Sequence, residues 1–508
     1  MNGAVLVAGT AAAAGKSVVV AGLIRWLHRQ GINVAPFKVQ NMSPDSFVTA
    51  DGAEIGRAQA MQAAAAGIEP DTRMNPIVLK PGANGTSQVV VLGQPVGELD
   101  AAEFAEHASR LLDVALDSLS QLRRDFDVVI CEGAGSPAEL GLRASDLPNL
   151  GLARAAGLPV ALVSDIDQGG AFAALYGTAA LLSPEDQALI AGFIINKFRG
   201  DRGQLEPGLG LLRGLTGRPV LGVLPWSAGL RPGAVDTLSP GAVRPPAGPP
   251  LGPDVLRVSV VALPRVSNLT DIDALSAEPG VLVRLADSPA ELADADLVIL
   301  PGTRATVADL SWLRDRGLAD AIVARALAGR PVLGICGGYQ MLAAEISDDI
   351  ESGAGQVSGL GLLPASVTFA DAKTLGRPAG TAYGAPVSGY EMHHGVVSVS
   401  GITAEPFLDG CRSGTVWGTS WHGTLENDEF RRAFLTDVAD FAGRDFKAAP
   451  ESCFAAVRAA ALDLMGDLVG SHLDTAAMCR LIEGGPPPGL PVLPPAGAVG
   501  QDATARSR

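Results

Sequence analysis

The sequence predicts an α/β protein with two parallel-sheet domains, and three observations carry that prediction. Short apolar runs alternate with helical patterns over the first 225 residues, and the alternation resumes at Leu256 after a break in composition. Alternation of this kind indicates right-handed βαβ units and a mostly parallel sheet. Of the 508 residues 47% are hydrophobic and 18% charged, so a large core can form and disorder of the whole chain is excluded.

The first predicted domain covers residues 1–226. Its predicted helices include 16–29 and 102–122, and its strands are predicted at 5–8, 34–37, 128–131, 160–164, 192–195 and 220–224. Parallel sheets bind ligands at the carboxyl ends of their strands, so candidate site residues are sought there.

Three further segments complete the predicted organisation. Residues 227–254 form a linker, since 227–253 hold seven prolines and five glycines. The second domain covers 255–448, with strands at 257–263, 297–300, 331–335 and 415–420, extra β structure around 365–369, 387–390 and 396–399, and a helix from about 427. Residues 449–508 are predicted as a helical stretch to about 482 and a disordered tail from 484.

Charge and composition exclude several classes of function. Lys and Arg total 38 against 54 Asp and Glu, a formal net charge of -16, which argues against non-specific binding to nucleic acid or an anionic membrane. No apolar run reaches the roughly 18–20 residues of a membrane span, and the N-terminus lacks a basic signal region. Five cysteines without paired spacing favour a reducing cytoplasm. Small-molecule substrates are expected, and a homo-oligomer is left open.

A phosphate-binding loop is predicted where the first strand meets the first helix. Residues 8–17 read AGTAAAAGKS, so Gly15, Lys16 and Ser17 open the helix. Backbone N–H groups there cradle phosphate, the lysine reaches the terminal phosphates, and the hydroxyl can bind Mg²⁺. Gly9 stands six residues before Gly15, one residue off the strict spacing. The alternative is an alanine-rich helix start with an incidental Gly-Lys-Ser.

A carboxylate for that metal is expected at the end of a neighbouring strand. Glu132 closes the apolar run 128–131 and precedes Gly133, while Asp165 and Asp167 follow the run 160–164. A carboxylate beside a phosphate loop is well placed to bind Mg²⁺, and Glu132 is preferred. Either set could instead be only a solvated loop end.

The second domain contains a candidate nucleophile. Residues 330–342 read RPVLGICGGYQML, which is a strand, a Gly-x-Cys-x-Gly turn and a helix. Glycines flank Cys336 because such a turn is strained and neighbouring backbones approach closely, and a helix N-terminus favours the thiolate. The backbone N–H of Gly337 is a natural oxyanion donor.

A thiolate nucleophile needs a general base, and six histidines are available. His422 follows the predicted strand 415–420, whereas His393 and His394 follow Gly389-Tyr390-Glu391-Met392. The strand-end position makes His422 the preferred base.

With both segments identified, the chain resembles the cobyric acid synthase family of glutamine-dependent amidotransferases in cobalamin biosynthesis. The resemblance covers residue 5 to about 473 and rests on PFKVQNM at 36–42, ADGAEIGRAQ at 50–59, MNPIVLKP at 74–81, EGAGSPAE at 132–139, IINKFRGD at 194–201, GICGGYQML at 334–342 and GYEMH at 389–393. The Gln40-Asn41-Met42 block separates it from cobyrinic acid a,c-diamide synthase. The first domain looks like a P-loop NTPase-like fold of the dethiobiotin synthetase type, in which the shifted loop spacing is normal, and the second like a class I glutamine amidotransferase.

The resemblance implies two chemistries. Cys336 and His422 would release ammonia from glutamine, with Gly337 and Gly302 as oxyanion donors. ATP and Mg²⁺ would activate the b, d, e and g carboxylates of adenosylcobyrinic acid a,c-diamide as acyl phosphates, which ammonia converts to amides.

The same resemblance implies roles for further residues of the first domain. Asn196 joins Gly15, Lys16 and Ser17 in binding nucleotide, and Ser17 and Glu132 hold the metal. The candidates for corrinoid carboxylates, in a local basic pocket, are Lys38, Arg57, Lys80 and Arg199.

Departures from the family pattern leave questions open. Ala12 and Ala13 stand where the family loop usually carries Ser and Asp, and Gln168 stands at an Arg position. Thr424 occupies the place, two residues after the histidine, where many glutamine amidotransferases carry a Glu, so Glu391 and Glu426 both remain candidates to orient His422. Two other readings are a different carboxylate acceptor and a catalytically silent nucleotide-binding scaffold.

Overall fold

The computed structural model describes residues 1–43, 45–81, 86–139, 146–227, 229–230, 243–244, 246–400 and 404–494. The strands before residue 226 are β1 (Gly3–Gly9), β2 (Val34–Phe37), β3 (Gln40–Met42), β4 (Ser46–Val48), β5 (Glu54–Gly56), β6 (Ile77–Pro81), β7 (Ser87–Val91), β8 (Gln94–Leu99), β9 (Val128–Glu132), β10 (Val160–Asp165), β11 (Ile190–Phe198) and β12 (Val220–Pro225). The helices are α1 (Lys16–Arg29), α2 (Arg57–Ala65), α3 (Ala101–Asp125), α4 (Leu152–Ala156), α5 (Ala171–Ala180), α6 (Pro184–Gln187) and α7 (Glu206–Thr216).

A six-stranded parallel sheet forms the centre of the first domain. Its strand order is β12-β11-β10-β1-β9-β2. The strands are buried almost throughout, as expected for runs covered by helices on both faces. The predicted α/β fold is confirmed here, and β1, β9, β10 and β11 all end at the same edge of the sheet.

A second, smaller set of strands between residues 40 and 99 was not predicted. Strands β3, β6, β7 and β8 form a four-stranded sheet, and β4 pairs with β5 in a separate hairpin. These strands are short, and the exposed strand β8 carries no apolar alternation, so periodicity gives little signal.

The second domain repeats the α/β plan. Its strands are β13 (Val243–Arg244), β14 (Leu256–Val261), β15 (Val281–Ala286), β16 (Leu297–Leu300), β17 (Val332–Ile335), β18 (Glu345–Asp348), β19 (Gly355–Ser358), β20 (Ala365–Gly376), β21 (Ala379–Ala382), β22 (Ala385–Ser388), β23 (Glu391–Val399), β24 (Glu405–Phe407), β25 (Gly410–Ser413) and β26 (Val416–Thr419). Its helices are α8 (Asp273–Ser276), α9 (Thr306–Asp315), α10 (Leu318–Leu327), α11 (Gly337–Leu342) and α12 (Asp428–Ala442).

The main sheet of this domain has the order β13-β15-β14-β16-β17-β26-β25-β24, and the strands from β15 to β26 are parallel. Strand β13 pairs antiparallel with β15, so part of the predicted linker belongs to this sheet. The predicted extra β structure forms a sheet β19-β18-β20-β23 and a hairpin β21-β22.

The C-terminal segment returns to the first domain. Two helices, α13 (Phe454–His472) and α14 (Thr475–Gly484), replace the single predicted stretch. Helix α13 packs along α1, and a Cβ at Gly22 would lie 2.6 Å from the carbonyl oxygen of Met465. Two ion pairs flank this contact, Arg25–Asp463 at 2.8 Å and Arg29–Asp467 at 2.7 Å. The core of the first domain therefore includes residues from the end of the chain.

Part of the predicted disordered tail packs against the first domain. Residues 485–494 follow α14 over the first domain, where the Leu493 N–H donates to Gln187 Oε1 at 2.6 Å and Leu493 is 4% exposed. The rest of the predicted tail, 495–508, lies outside the described residues. In the described part of the chain, no helix combines the length and apolarity needed to cross a membrane.

Candidate active sites

The predicted strand–turn–helix at Cys336 is present in the structure. Cys336 has φ 50° and ψ −111° between β17 and α11, a conformation that a residue with a side chain adopts at a cost. A Cβ at Gly338 would lie 2.0 Å from the Leu300 carbonyl oxygen, and one at Gly337 would lie 2.6 Å from Thr303 Cγ2. Both glycines are therefore required by close backbone packing, which holds the thiol at the turn.

The buried side chain of His422 joins Cys336 at the end of the neighbouring strand β26. Its Nδ1 lies 2.6 Å from Asp271 Oδ2, and its Nε2 has no hydrogen-bond partner among the described residues. The other oxygen of Asp271 accepts the Gly423 N–H at 2.8 Å. The carboxylate thus fixes the ring and leaves Nε2 free for a substrate or the thiol.

Burial and neighbouring charges shift the pKa values of His422 and Cys336 in opposite directions. Burial disfavours imidazolium, but Asp271 and then the Cys336 thiolate outweigh it and raise the pKa of His422 to about 10. Burial likewise disfavours the thiolate, yet the charge of His422, with smaller help from His393 and the Gly337 N–H, lowers the pKa of Cys336 below its usual value. The arrangement favours a thiolate–imidazolium pair.

Asp271, which orients His422, was missed by sequence reasoning, and neither proposed glutamate takes this role. Glu391 lies 3.6 Å from His393, and Glu426 pairs with Arg57 at 3.0 Å and Arg458 at 2.6 Å. A signal did exist, because Asp271 lies in a polar segment beyond the carboxyl end of β14, where ligand-facing residues are expected.

Gly302, the second predicted oxyanion donor, packs directly against the histidine. A Cβ at this position would lie 2.9 Å from His422 Cε1 and 3.0 Å from the Ser267 carbonyl oxygen. The absence of a side chain therefore lets the backbone approach the ring. The oxyanion roles of Gly302 and Gly337 stay predictions.

The predicted phosphate loop lies at the carboxyl edge of the first sheet. Gly15 caps α1 with φ 86°, and a Cβ there would lie 2.1 Å from Asn196 Nδ2. Asn196 also donates to the Ala14 carbonyl at 3.0 Å. Lys16 Nζ donates to the carbonyls of Ala11 at 2.9 Å, Ala12 at 3.2 Å and Gly135 at 3.2 Å, and burial lowers its pKa to about 8. The four predicted nucleotide residues therefore meet at one edge.

Glu132 lies beside this loop, buried and surrounded by donors. Its Oε1 accepts from Ser17 Oγ at 2.8 Å and from Lys38 Nζ at 2.7 Å, and its Oε2 accepts from Gln62 Nε2 at 2.5 Å. Burial would raise its pKa, but Lys38 and these hydrogen bonds lower the pKa of Glu132 overall. Gln62, on α2, was not singled out from the sequence.

Ser17 and Glu132 supply the oxygen ligands that suit Mg²⁺, which commonly takes one or two protein ligands and completes its shell with phosphates and water. Over the described residues, no group of three or more His, Cys, Asp or Glu side chains is arranged to hold a metal. This donor set therefore fits a metal carried in with a nucleotide.

Each of the four predicted corrinoid residues is paired with a carboxylate in the structure. Lys38 pairs with Glu132, Arg57 with Glu426, and Lys80 with Glu54 in a buried contact at the domain interface. Arg199 is half exposed, pairs with Asp167 at 3.0 Å and stacks 3.8 Å from the Trp226 ring centre. The fold supplies each cation with a carboxylate, which the sequence alone could not show, so their role toward the corrinoid stays a prediction.

The domain interface reaches the cysteine site through an aromatic contact. The Tyr390 ring stacks on His422, with centres 5.2 Å apart and planes at 22°. From the first domain, Phe47 lies 5.2 Å from the Tyr390 ring, and Arg57 lies 5.3 Å and 5.8 Å from the Phe47 and Tyr390 rings. Residues of the first domain therefore support the candidate base.

Two family models match the chain. Residues 5–234 match the CobQ/CobB/MinD/ParA nucleotide binding domain, and residues 257–430 match the CobB/CobQ-like glutamine amidotransferase domain. Among solved structures, a glutamine amidotransferase is 22% identical, with a TM-score of 0.31, over 37% of this chain and 98% of its own.

Relatives that carry the name cobyric acid synthase are similar over nearly the whole chain. The Streptomyces coelicolor protein is 61% identical over 500 residues, which is 97% of this chain and 99% of the relative. The Saccharopolyspora erythraea protein is 59% identical over 98% of each chain, and the Rhodococcus jostii protein 56% identical over 97% and 98%.

Proposed function

The chain belongs to the cobyric acid synthase family of glutamine-hydrolysing amidoligases, and we propose that it converts adenosylcobyrinic acid a,c-diamide to adenosylcobyric acid. The reaction is a glutamine-dependent amidation in cobalamin synthesis, and the proposed targets are the b, d, e and g carboxylates. The observation that carries the proposal is the Cys336–His422–Asp271 arrangement, packed in one chain against a domain with a phosphate loop.

In the proposed glutaminase half, the Cys336 thiolate attacks the side-chain amide carbon of glutamine. The carbonyl oxygen becomes an oxyanion, and the Gly337 N–H is the proposed donor that stabilises it. When the C–N bond breaks, His422 gives its Nε2 proton to the departing nitrogen, and ammonia leaves. Water, deprotonated by His422, then splits the glutamyl thioester to glutamate and restores the thiolate.

In the proposed ligase half, a corrinoid carboxylate oxygen takes the γ-phosphoryl group of ATP, and ADP leaves. Ammonia then attacks the acyl phosphate, its surplus proton is lost and phosphate departs. The backbone of the loop and Lys16 bind the phosphates, and Asn196 reads the adenine. Ser17 and Glu132 would hold Mg²⁺, which when bound neutralises phosphate charge. Activation is necessary because a carboxylate is otherwise a poor acyl donor.

The proposed division of labour follows the domains. Residues 1–226 carry the ligase and 255–448 the glutaminase, with the C-terminal helices packed on the ligase side. We propose a cytoplasmic location, in keeping with an acidic chain whose described cysteines are all free. A homo-oligomer remains open.

The test is mass spectrometry of a reaction with purified enzyme, adenosylcobyrinic acid a,c-diamide, ATP, Mg²⁺ and glutamine labelled with ¹⁵N in its amide. Stepwise entry of label at up to four positions supports the proposal, and fragment masses assign the carboxylates. Incorporation from free ammonia but not from glutamine would contradict the glutaminase half. No incorporation from either source would contradict the acceptor, and favour another carboxylate or a scaffold.

A further inference from the structure

A narrow cavity opens beside the Cys336 thiol and is lined by both domains. The space between its side chains is about 430 Å³, a figure that includes space open to solvent. Its charged and titratable walls are Lys80 from the first domain and, from the second, Arg304, Lys373, Glu351, His393 and His394. Cations therefore dominate a cavity next to the nucleophile.

Lys80 and Lys373 share a single carboxylate, that of Glu54. Lys373 Nζ lies 2.8 Å from Glu54 Oε2, and Lys80 contacts the other oxygen of the same group. The side chains are only 4% and 1% exposed. Burial and the crowding of positive charge lower the pKa of Lys373 to about 8 and that of Lys80 well below its ordinary value. An anion in this cavity would relieve that crowding.

Arg304 carries a donor that the fold leaves unused. Its Nη2 donates to Gln88 Oε1 at 3.2 Å, but its buried Nε has no hydrogen-bond partner among the described residues. His393 lines the same cavity with a side chain 10% exposed, and neither ring nitrogen is hydrogen-bonded within the described chain. Buried donors of this kind are costly unless a ligand pairs with them.

We propose that Arg304 and Lys373 bind the α-carboxylate of substrate glutamine while its side-chain amide lies against Cys336. This rests on the glutaminase half of the proposed function. A guanidinium with a free Nε matches a planar carboxylate, and a nearby ammonium adds charge. The subsite would select free glutamine over a plain amide. Because Lys80 and Glu54 belong to the first domain, the ligase domain closes the wall of this subsite.

Paired substrate and side-chain deletions test the proposal through ammonia release. Glutamine is compared with 4-aminobutanamide, which keeps the amide and amino group but lacks the α-carboxylate, and with glutaramate, which keeps the carboxylate but lacks the amino group. The parent should prefer glutamine over 4-aminobutanamide by at least about a hundredfold in kcat/KM, because the analogue leaves buried donors unpaired.

In Arg304→Gln, kcat/KM should fall at least about tenfold for glutamine and glutaramate but stay unchanged for 4-aminobutanamide. Lys373→Met should show the same selective loss. Arg314→Gln is the matched control, because Arg314 lies outside the cavity wall and donates to the Ser358 carbonyl on the surface. Unchanged turnover of 4-aminobutanamide shows that each variant is folded.

Equal losses for all three amides in both variants would overturn the proposal, because the residues would then act on the structure of the site. Unchanged kinetics in both variants would overturn it as well. Ammonia release from glutamine needs no corrinoid, so a wrong corrinoid assignment and a wrong carboxylate subsite give distinguishable results.

Discussion

The two candidate sites share a plan but differ in what completes them. Each lies where a buried parallel strand turns into a helix, β1 into α1 and β17 into α11. At Cys336 the activating groups are all protein groups, His422 and Asp271. At the phosphate loop, Lys16 donates to three backbone carbonyls and Glu132 accepts from three side chains. The thiol is therefore activated by the fold itself, whereas the loop's charges must exchange partners when phosphates bind.

The sites also differ in what supports them. The imidazole of His422 is stacked by Tyr390, and Tyr390 is packed by Phe47 from the other domain. The helix that begins at Lys16 is covered instead by α13, from the far end of the chain. Each site is therefore supported by residues that lie far from it in the sequence. We therefore expect that removal of a reacting side chain abolishes one activity and leaves the other intact. Removal of a side chain that only packs behind a reacting group should weaken the activity of its site in part.

Cys336→Ser should have the largest effect and tests whether the sites separate. Glutaminase activity should fall at least about 10⁴-fold, because the hydroxyl is not ionised by His422 as the thiol is. Amidation with free ammonia should continue. Glutamate release and corrinoid amidation are measured on one preparation, with Cys453→Ser, an exposed cysteine, as control. Parent-like glutamate release in Cys336→Ser would contradict the assignment.

Lys16→Ala tests the separation of the sites from the other side, because it should impair the ligase site and spare the glutaminase site. Amidation should fall roughly 10²–10³-fold from either nitrogen source, because the transferring phosphoryl group loses a buried positive donor. Basal glutaminase activity should remain, since among the described residues Lys16 donates hydrogen bonds only to carbonyls of its own loop and of Gly135. ATP-dependent amidation and glutamate release are assayed side by side. Normal amidation in this variant would show that ATP is handled elsewhere.

Asp271→Asn should weaken glutaminase activity by roughly 10²-fold, since Asp271 stabilises the imidazolium form of His422. The parent should keep its thiolate–imidazolium pair until His422 loses its proton near pH 10. Without the carboxylate charge the pKa of His422 falls, so the alkaline limb of the kcat/KM profile for glutamine moves to lower pH. Glu426→Gln is the control and should leave that limb in place. An unmoved limb in Asp271→Asn would mean that another group sets it.

Phe47→Leu should have the smallest effect and tests the support across the interface. Loss of one aromatic contact of about 0.5–1.5 kcal/mol predicts a two- to tenfold lower glutaminase kcat, although Phe47 belongs to the ligase domain. Phe172→Leu, which removes a ring packed near Gly208 in the same domain, is the matched control and should leave the rate unchanged. Equal rates for both variants and the parent would mean that Tyr390 needs no support from Phe47.

Sequence reasoning located the parts of each site that are local in the chain. The loop at Gly15–Ser17 and the turn at Cys336 follow from strand, glycine and helix signals within a few residues. Asp271 and Gln62 were missed because their roles arise from packing between distant segments. For a similar reason the sequence did not show that each of the four basic residues assigned to the corrinoid pairs with a carboxylate.

The return of α13 to α1 has a consequence for how the protein is made. A ribosome adds roughly 5–20 residues per second, so roughly 20–90 s pass between synthesis of α1 and synthesis of its cover. During that time the face of α1 at Gly22 and Ile24 lacks Met465 and Val469. The ligase domain, although encoded first, is finished last, after the glutaminase domain has emerged. A chain cut short in translation therefore carries no completed ligase, and the exposed α1 marks it for chaperones and proteases.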